Sequence, residues 1–483
     1  MFLSKPNWHG LYQQIYERGE LFGVDRALAN NPLIMTAEGV RPNTIAVGGG
    51  AFGDEGKGRI VDALCARFSE SGLSPLIYRW NGGANAGHTV IVNGQRMALH
   101  QLPSGVAAQG SVAVLGKGMV IHPGDLLSEF AAAADLIAHN GCRVYVQTSA
   151  VLALDTHRAF EAALRNWEKG GSGATGRGIS PAYADVLLRH PVRVRDFYAQ
   201  NWREIFSRHY ELYASLIRGL GAEMASIEVP RLDGEPFSVG DLEAFINRLG
   251  EQRQTLAQVI GLSDNPFPEA TPNMPIIFEG AQAIGLDARY GVYPDITASD
   301  PTFAGIAHST EGAILPHEIA VRAGAIKATY TSSVGARRLP TAMPEAEAHR
   351  IREDAHEYGA TTLRPRDIAY IDLPCLSFFA RVSAMTHVIL THLDIAYADM
   401  PIKVCVGYAD DKRYRPDQAY LDTVKPEYIE LPSWNGRAIQ GVRKLNELPR
   451  EALQYIAFIT QALGVLPLMA TTGPDREALI SWV

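Results

Sequence analysis

Between residues 50 and 58 the chain reads Gly-Ala-Phe-Gly-Asp-Glu-Gly-Lys-Gly, directly after the apolar run Thr44-Ile45-Ala46-Val47. Small residues at a strand end let the backbone turn sharply and aim its N–H groups at an anion, and Lys57 adds a compact positive charge beside them. The pattern predicts a phosphate cradle over residues 50–58, with Lys57 beside it. It is not the Walker loop, because Gly58 stands where that motif has Ser or Thr for Mg²⁺ and Ala51 stands at its first Gly. Asp54 is the telling addition: a carboxylate in a phosphate loop repels the ligand unless a metal ion or a proton transfer employs it.

The second dense cluster, Asn81-Gly-Gly-Ala-Asn85-Ala-Gly87-His88-Thr89, again follows an apolar strand. A His among such small residues suits a general acid or an oxyanion donor, its pKa lying near working pH. The loop around Thr175 and Arg177 offers a hydroxyl, a guanidinium and backbone donors to a second anion, with Arg189 and Arg193 following. Gln282 closes another strand with a bidentate amide, and Thr297 supplies a hydroxyl. Thr361, Thr362, Arg364 and Arg366 combine paired hydroxyls with guanidiniums, an arrangement for a small carboxylate. Asp394, after an apolar strand, has the geometry to accept both N–H groups of a guanine edge, and Thr472-Gly473-Pro474 follows a further apolar strand.

These clusters need a scaffold that delivers several loops to one place, and the chain supplies it. Short apolar runs at 44–47, 75–78, 112–115, 144–147, 276–278, 325–330, 387–390 and 403–406 alternate with helical patterns, such as the one over 60–68. This predicts an α/β fold with a large, mostly parallel central sheet flanked by helices. Residues 1–41 read as an extension with one helix around 11–28, and 42–483 as the catalytic domain. The stretch 190–270 reads as mainly helical, and 407–450 as a polar excursion off the sheet. With 483 residues, 47% hydrophobic and 20% charged, a sizeable core is expected. A net charge of −8 argues against nucleic acid as a partner. Cys65, Cys142, Cys375 and Cys405 lie far apart with no ligand spacing, which fits a reducing, cytoplasmic setting, and no run is long enough for a bilayer.

In order along the chain, GDEGKG, GGANAGHT, GATGRGISPAY, FEGAQ, YGVYPDITAS, YGATTLRPR, THLD and TTGPDR resemble the motifs of adenylosuccinate synthetases over roughly 43–483. The resemblance implies a large α/β fold related to GTP-binding P-loop-type proteins, a homodimer, and a ligase of purine biosynthesis that joins L-aspartate to C6 of IMP at the expense of GTP. It implies that Asp54 removes the purine N1 proton and binds Mg²⁺ together with the Gly87 carbonyl. It implies that His88 is the acid at the 6-oxygen and Lys57 stabilises the GTP phosphates, with Gly53, Glu55, Gly56, Gly58 and Thr89 lining the nucleotide loop. Asn85, Thr175, Gln282, Thr297 and Val334 match contacts to the purine monophosphate, and Arg189 matches an Arg that reaches the neighbouring subunit's site. Thr361, Thr362, Arg364 and Arg366 match the aspartate loop, while Asp394, Thr472, Gly473 and Pro474 match the guanine site.

Several positions depart from that pattern. Ala51-Phe52 replaces Gln-Trp, Asn81 replaces Gln, and Leu363 and Pro365 replace Gly and Arg. Arg337 and Arg338 introduce guanidiniums near the base and ribose, and His392 replaces a Lys that covers the guanine ring. These changes leave room for ATP as donor, and for a second reading in which the same chemistry acts on another 6-oxopurine nucleotide: dGMP, giving 2-aminoadenylosuccinate, or a nucleoside-antibiotic precursor. A third reading is a non-catalytic nucleotide-binding module.

Overall fold

A computed structural model describes residues 6–26, 40–92, 95–169, 175–232, 234–335, 337–359 and 365–482. The chain divides into two compact units, Met1–Lys57 with Gln282–Ile296 and His317–Val483, and Gly58–Ala281 with Thr297–Pro316.

In the first unit the strands Arg41–Gly49, Ile319–Lys327, His387–Thr391 and Leu466–Thr471 lie side by side, all parallel, and Leu479–Ser481 adds an antiparallel edge. Ile45, Ala323, Val388 and Ile389 are fully buried, which is why these strands read as unbroken apolar runs rather than alternating ones. The helices Leu373–Val382 and Arg450–Leu463 cover this layer through Leu376, Phe379, Tyr455 and Phe458. Asp372 starts the first of these helices, its carboxylate accepting the Cys375 N–H at 3.0 Å, with proline in the first turn. The strand expected around 403–406 forms as Ile402–Tyr408, but in a separate three-stranded sheet between Ile371–Asp372 and Pro426–Leu431. An apolar run of that length specifies a strand without saying which sheet receives it.

The extension folds onto this unit. Its helix is shorter than the 11–28 expectation: Trp8–Tyr12 passes into a single π turn, Gln13–Glu17, and Gly19 and Gly23, at φ +74° and +81°, end it. Ile15 is buried, Gln454 Nε2 donates to its carbonyl at 3.0 Å, and Trp482 Nε1 donates to the Val24 carbonyl at 2.8 Å.

In the second unit the strands run parallel in the order Gly261–Ser263, Arg143–Gln147, Val112–Leu115, Leu76–Arg79, Ile276–Glu279. The edge strand Gly261–Ser263 lies inside the stretch that reads as helical; three partly buried residues give too short a signal to detect. Helices Pro123–Asn140, Asp155–Trp167, Ile179–Leu188, Trp202–Gly219 and Leu242–Val259 belong to this unit, and His88–Val92 pairs with Gln95–Leu99 as a hairpin. Both units are α/β with mostly parallel sheets, as expected.

Candidate active site

The strand Arg41–Gly49 runs into the glycine loop, where Gly53, Asp54 and Gly56 take left-handed φ values of +100°, +55° and +78°. Only glycine adopts such values without cost, so a non-glycine residue held there marks a position that its surroundings over-determine. Glu55 supplies the constraint: its buried Oε1 accepts the N–H groups of Gly53 at 2.7 Å and Ala51 at 3.2 Å, and Oε2 pairs with Lys57 Nζ at 2.8 Å. Glu55, expected among the nucleotide contacts, thus shapes the loop from inside and balances Lys57, whose side chain is only 4% exposed.

Asp54 itself points outward, its side chain 41% exposed, and Oδ2 pairs with Arg366 Nη2. Arg366 in turn gives Nη1 to Glu357 Oε2 at 2.8 Å. Glu357 also receives Lys327 Nζ and the Tyr330 hydroxyl, the latter at 2.6 Å, and Tyr330 lies 2.9 Å from His392 Nδ1. Burial acts to raise the Glu357 pKa, but Lys327, His392 and the hydrogen bonds outweigh it and hold it down at about 2. Arg366 is likewise held above its ordinary value: burial opposes its charge, and Asp54 and Glu357 more than compensate.

His392 is another left-handed residue, φ +59°, at the end of the strand His387–Thr391. Its N–H donates to Thr471 Oγ1 at 2.9 Å and that of Leu393 to the Thr471 carbonyl at 2.9 Å, so the loops after two neighbouring strands are stitched together. Asp394 and the run Thr472-Gly473-Pro474 are thereby brought to the same end of the sheet. Thr472 is buried and spends its hydroxyl on the Val442 carbonyl at 2.7 Å, a backbone support rather than an exposed contact.

In the second unit His88 opens the strand of its hairpin and turns inward. Its Nδ1 lies 2.5 Å from Glu279 Oε1, and Ser104 donates its hydroxyl to Oε1 at 2.6 Å and its N–H to Oε2 at 2.8 Å. Burial would raise the Glu279 pKa, yet His88, the neighbouring Arg79 and Ser104 draw it below its ordinary value, so the carboxylate is charged. A carboxylate on Nδ1 fixes the tautomer and directs the ring to act through Nε2. Gly58 makes the approach possible, since a Cβ there would sit 2.6 Å from His88 Cβ and 2.9 Å from Ser104 Oγ. Glu279 lies in the FEGAQ motif, whose residue types point to Gln282 rather than to Glu279. A charged residue inside an otherwise apolar strand, Ile-Ile-Phe-Glu, was the available signal.

Asn85 is partly buried, and its Oδ1 has no hydrogen-bond partner among the described residues. Asn81 is spent on structure: Oδ1 accepts the Ala281 N–H at 2.9 Å, and Nδ2 donates to the Ala281 carbonyl and to Ser299 Oγ. Thr297 is buried, its hydroxyl 3.3 Å from that of Ser299. Gln282, at φ +58°, is half-buried, Val334 is 40% exposed, and Gly87 and Thr175 are exposed. Arg189 caps the helix Ile179–Leu188 in the left-handed region, φ +67°, and is exposed beside Leu187 and Leu188. Arg337 is buried over the Phe52 ring, donating to Ser333 Oγ at 3.1 Å and to the Asp295 carbonyl; Arg338 pairs with Asp422 at the surface. Thr361, Thr362 and Arg364 lie outside the described residues, as does the side chain of Thr89.

Among the described residues, His157, Asp185 and His209 form one further group with metal-ligand spacing. His157 Nδ1 accepts the Leu154 N–H at 2.8 Å, which places its proton on Nε2, the atom 2.9 Å from Asp185. A neutral ring so protonated has no lone pair for a metal there. The group is a buried hydrogen-bond network.

Among the described residues no helix is long and apolar enough to cross a membrane. The family model for adenylosuccinate synthetase matches residues 46–480. The adenylosuccinate synthetase of Lactiplantibacillus plantarum is 34% identical over 440 residues, covering 90% of this chain and 97% of the relative. That of Thermus thermophilus is 33% identical over 445 residues, covering 91% and 99%. A solved structure of fully ligated adenylosuccinate synthetase from Plasmodium falciparum superposes with a TM-score of 0.78 at 27% identity, covering 91% of this chain and 99% of that one. A cyanophage S-2L succinoaminodeoxyadenylate synthetase bound to dGMP and dATP shares the fold alone, at 18% identity and a TM-score of 0.52. The same loop motifs that carry Asp54, His88 and Asp394 thus fall within one matched span, and the chain belongs to the adenylosuccinate synthetase family, a family of ligases.

Proposed function

We propose that the protein joins L-aspartate to C6 of IMP with cleavage of GTP, giving adenylosuccinate, GDP and phosphate. The observation that carries this reading is the buried His88–Glu279–Ser104 cluster, an imidazole held in one tautomer by a charged carboxylate. In this reading Asp54 takes the proton from purine N1, and the electron pair released makes the 6-oxygen a nucleophile toward the γ-phosphoryl of GTP. His88, acting through Nε2, donates a hydrogen bond to the transferring group where charge develops. The aspartate amine then attacks C6 and phosphate departs, a far better leaving group than hydroxide. Arg366 and Arg364 are suited to the carboxylates of aspartate, and Asp394 accepts the two N–H groups of the guanine edge.

The family implies Mg²⁺, and the donors fit it. Asp54 is a half-exposed carboxylate in a phosphate loop, and the Gly87 carbonyl lies on an exposed turn with open space around its Cα. Hard oxygen donors of this kind bind Mg²⁺ alongside water and phosphate oxygens. An ion held by such oxygens would neutralise charge on the nucleotide phosphates. A homodimer accords with Arg189 standing exposed beside Leu187 and Leu188, which are 84% and 66% exposed, and free thiols at all four cysteines accord with a cytoplasmic setting.

Arg337 and Arg338 motivate the reading with another purine, and their contacts with Phe52, Ser333 and Asp422 support a structural part for both instead. The deciding assay supplies Mg²⁺, L-aspartate and GTP or ATP with IMP, GMP or dGMP separately, following phosphate release and the mass of the succinyl product. Turnover with IMP and GTP is expected. Turnover only with another pair reassigns the substrate, and silence with every pair refutes the ligase reading.

A further inference from the structure

Glu357 is a buried carboxylate, 1% exposed, to which the reaction above assigns no task. Three groups converge on it: Lys327 Nζ, the Tyr330 hydroxyl and Arg366 Nη1. Two of them lead onward to candidate site residues. Arg366 spans from Glu357 to Asp54, one amino group on each carboxylate. Tyr330 gives its single proton to Glu357, so its oxygen must accept from His392 Nδ1, which fixes the His392 tautomer two residues before Asp394. Lys327 is the counter-charge, itself 3% exposed and also bonded to Ser332. Charges balance with two cations, Lys327 and Arg366, against Glu357 and Asp54.

We propose that Glu357 is a positioning residue of the reaction: by holding Arg366 against Asp54 and the Tyr330 hydroxyl against His392, one buried carboxylate orients both the candidate base and the side chain beside the donor-base carboxylate. Its kinetic consequences rest on the ligase reading. In Glu357→Gln the amide oxygen keeps either the two donors on Oε1, Lys327 and Tyr330, or the one on Oε2, Arg366, while the NH2 group repels the other side. If it faces Tyr330, that hydroxyl turns to donate to His392 and its tautomer reverses; if it faces Arg366, the guanidinium leaves Asp54.

The test compares full-length wild type, Glu357→Gln, Arg366→Lys, the double variant and Tyr330→Phe, with kcat, KM for IMP, aspartate, GTP and ATP, melting temperature, and affinity for a fluorescent GDP analogue. Glu357→Gln is expected to lower kcat about 10- to 100-fold while KM for IMP moves less than about threefold, the pattern of misplaced rather than missing groups. In kcat the double variant should be no worse than Arg366→Lys by more than about twofold, because the arm that reaches Asp54 runs through one guanidinium, while its KM for GTP rises as in Tyr330→Phe. Tyr330→Phe should raise the GTP KM more than it lowers kcat. Independent, multiplying losses in the double variant, or a Glu357→Gln kcat within about twofold of wild type, overturn the proposal. Where Glu357→Gln fails to fold, Arg366→Lys must lower kcat and Tyr330→Phe must raise the donor KM, and absence of either overturns it. If wild type itself shows no turnover, the ligase reading fails; the positioning claim then stands or falls on GDP-analogue affinity, which Glu357→Gln and Tyr330→Phe must weaken and Arg366→Lys must leave in place.

Discussion

Replacing Glu279 by Gln tests the acid most directly, because it keeps the shape of the side chain and removes its charge. The carboxylate is fully buried and its two oxygens receive three donors: His88 Nδ1 and the Ser104 hydroxyl at Oε1, the Ser104 N–H at Oε2. A glutamine has one acceptor oxygen, so its NH2 group meets a donor whichever way it turns. Facing Ser104, it leaves a buried N–H unsatisfied, at a cost of about 1–3 kcal/mol in stability. Facing His88, it forces Nδ1 to accept and reverses the tautomer, the failure that also cripples a Ser-His-Asp triad when its Asp becomes Asn. A hydrogen bond to a charged group contributes about 1.5–3 kcal/mol. Lost from the transition state alone, that lowers kcat about 10- to 150-fold at about 1.4 kcal/mol per decade. Phosphate release under saturating IMP, aspartate, GTP and Mg²⁺ measures it, with melting temperature as the control for folding. A folded variant whose kcat stays within about threefold of wild type, or whose loss lies wholly in KM, would refute the tautomer argument and leave His88 a packing residue.

Asp54→Asn should remove about 10²- to 10⁴-fold of kcat, the usual worth of a general base, while stability changes by under about 1 kcal/mol because its partner Arg366 keeps Glu357; chemical denaturation alongside turnover checks both halves. Gly58→Ala drives a methyl group into His88 and Ser104 at 2.6 and 2.9 Å and should cost about 1–3 kcal/mol together with activity, whereas Gly219→Ala, with open space around it, is expected to perturb catalysis little. His387 is buried, and that burial together with Arg322 holds its pKa down at about 4 against 6.5 for the ordinary group. The unfolded chain therefore binds a proton between those values that the folded one refuses, and stability should fall by up to about 3 kcal/mol as pH drops from about 6.5 to about 4, a slope that His387→Gln flattens in denaturant titrations.

How much of this was legible in the sequence depends on the range of the interaction. The strands were legible because a parallel layer buried on both faces demands continuous apolar residues, and Ile45 or Val388 declares that locally. The glycine loop was legible for the same reason: Gly53 and Gly56 are needed for a backbone shape that a few neighbouring residues define. What could not be read is every pairing made at a distance. His88 announces an acid, but its carboxylate stands 191 positions away in another strand. Phosphate chemistry was expected of Glu55, which instead ties the loop to itself, since a carboxylate two residues from Lys57 and two from Gly53 has no sequence signal that separates an internal strut from a ligand contact. Arg337 shows the converse. An added guanidinium near the base suggests a new substrate group, yet this cation lies over Phe52 and bonds Ser333 and the Asp295 carbonyl, with only its buried Nε left without a partner among the described residues. Function-bearing residue types therefore mark where chemistry gathers, and burial and partners decide which of them meets the substrate. Glu357 is the sharpest case: it sits just before the Gly-Ala-Thr-Thr run, carries no motif of its own, and yet receives both Arg366, the partner of Asp54, and Tyr330, the partner of His392.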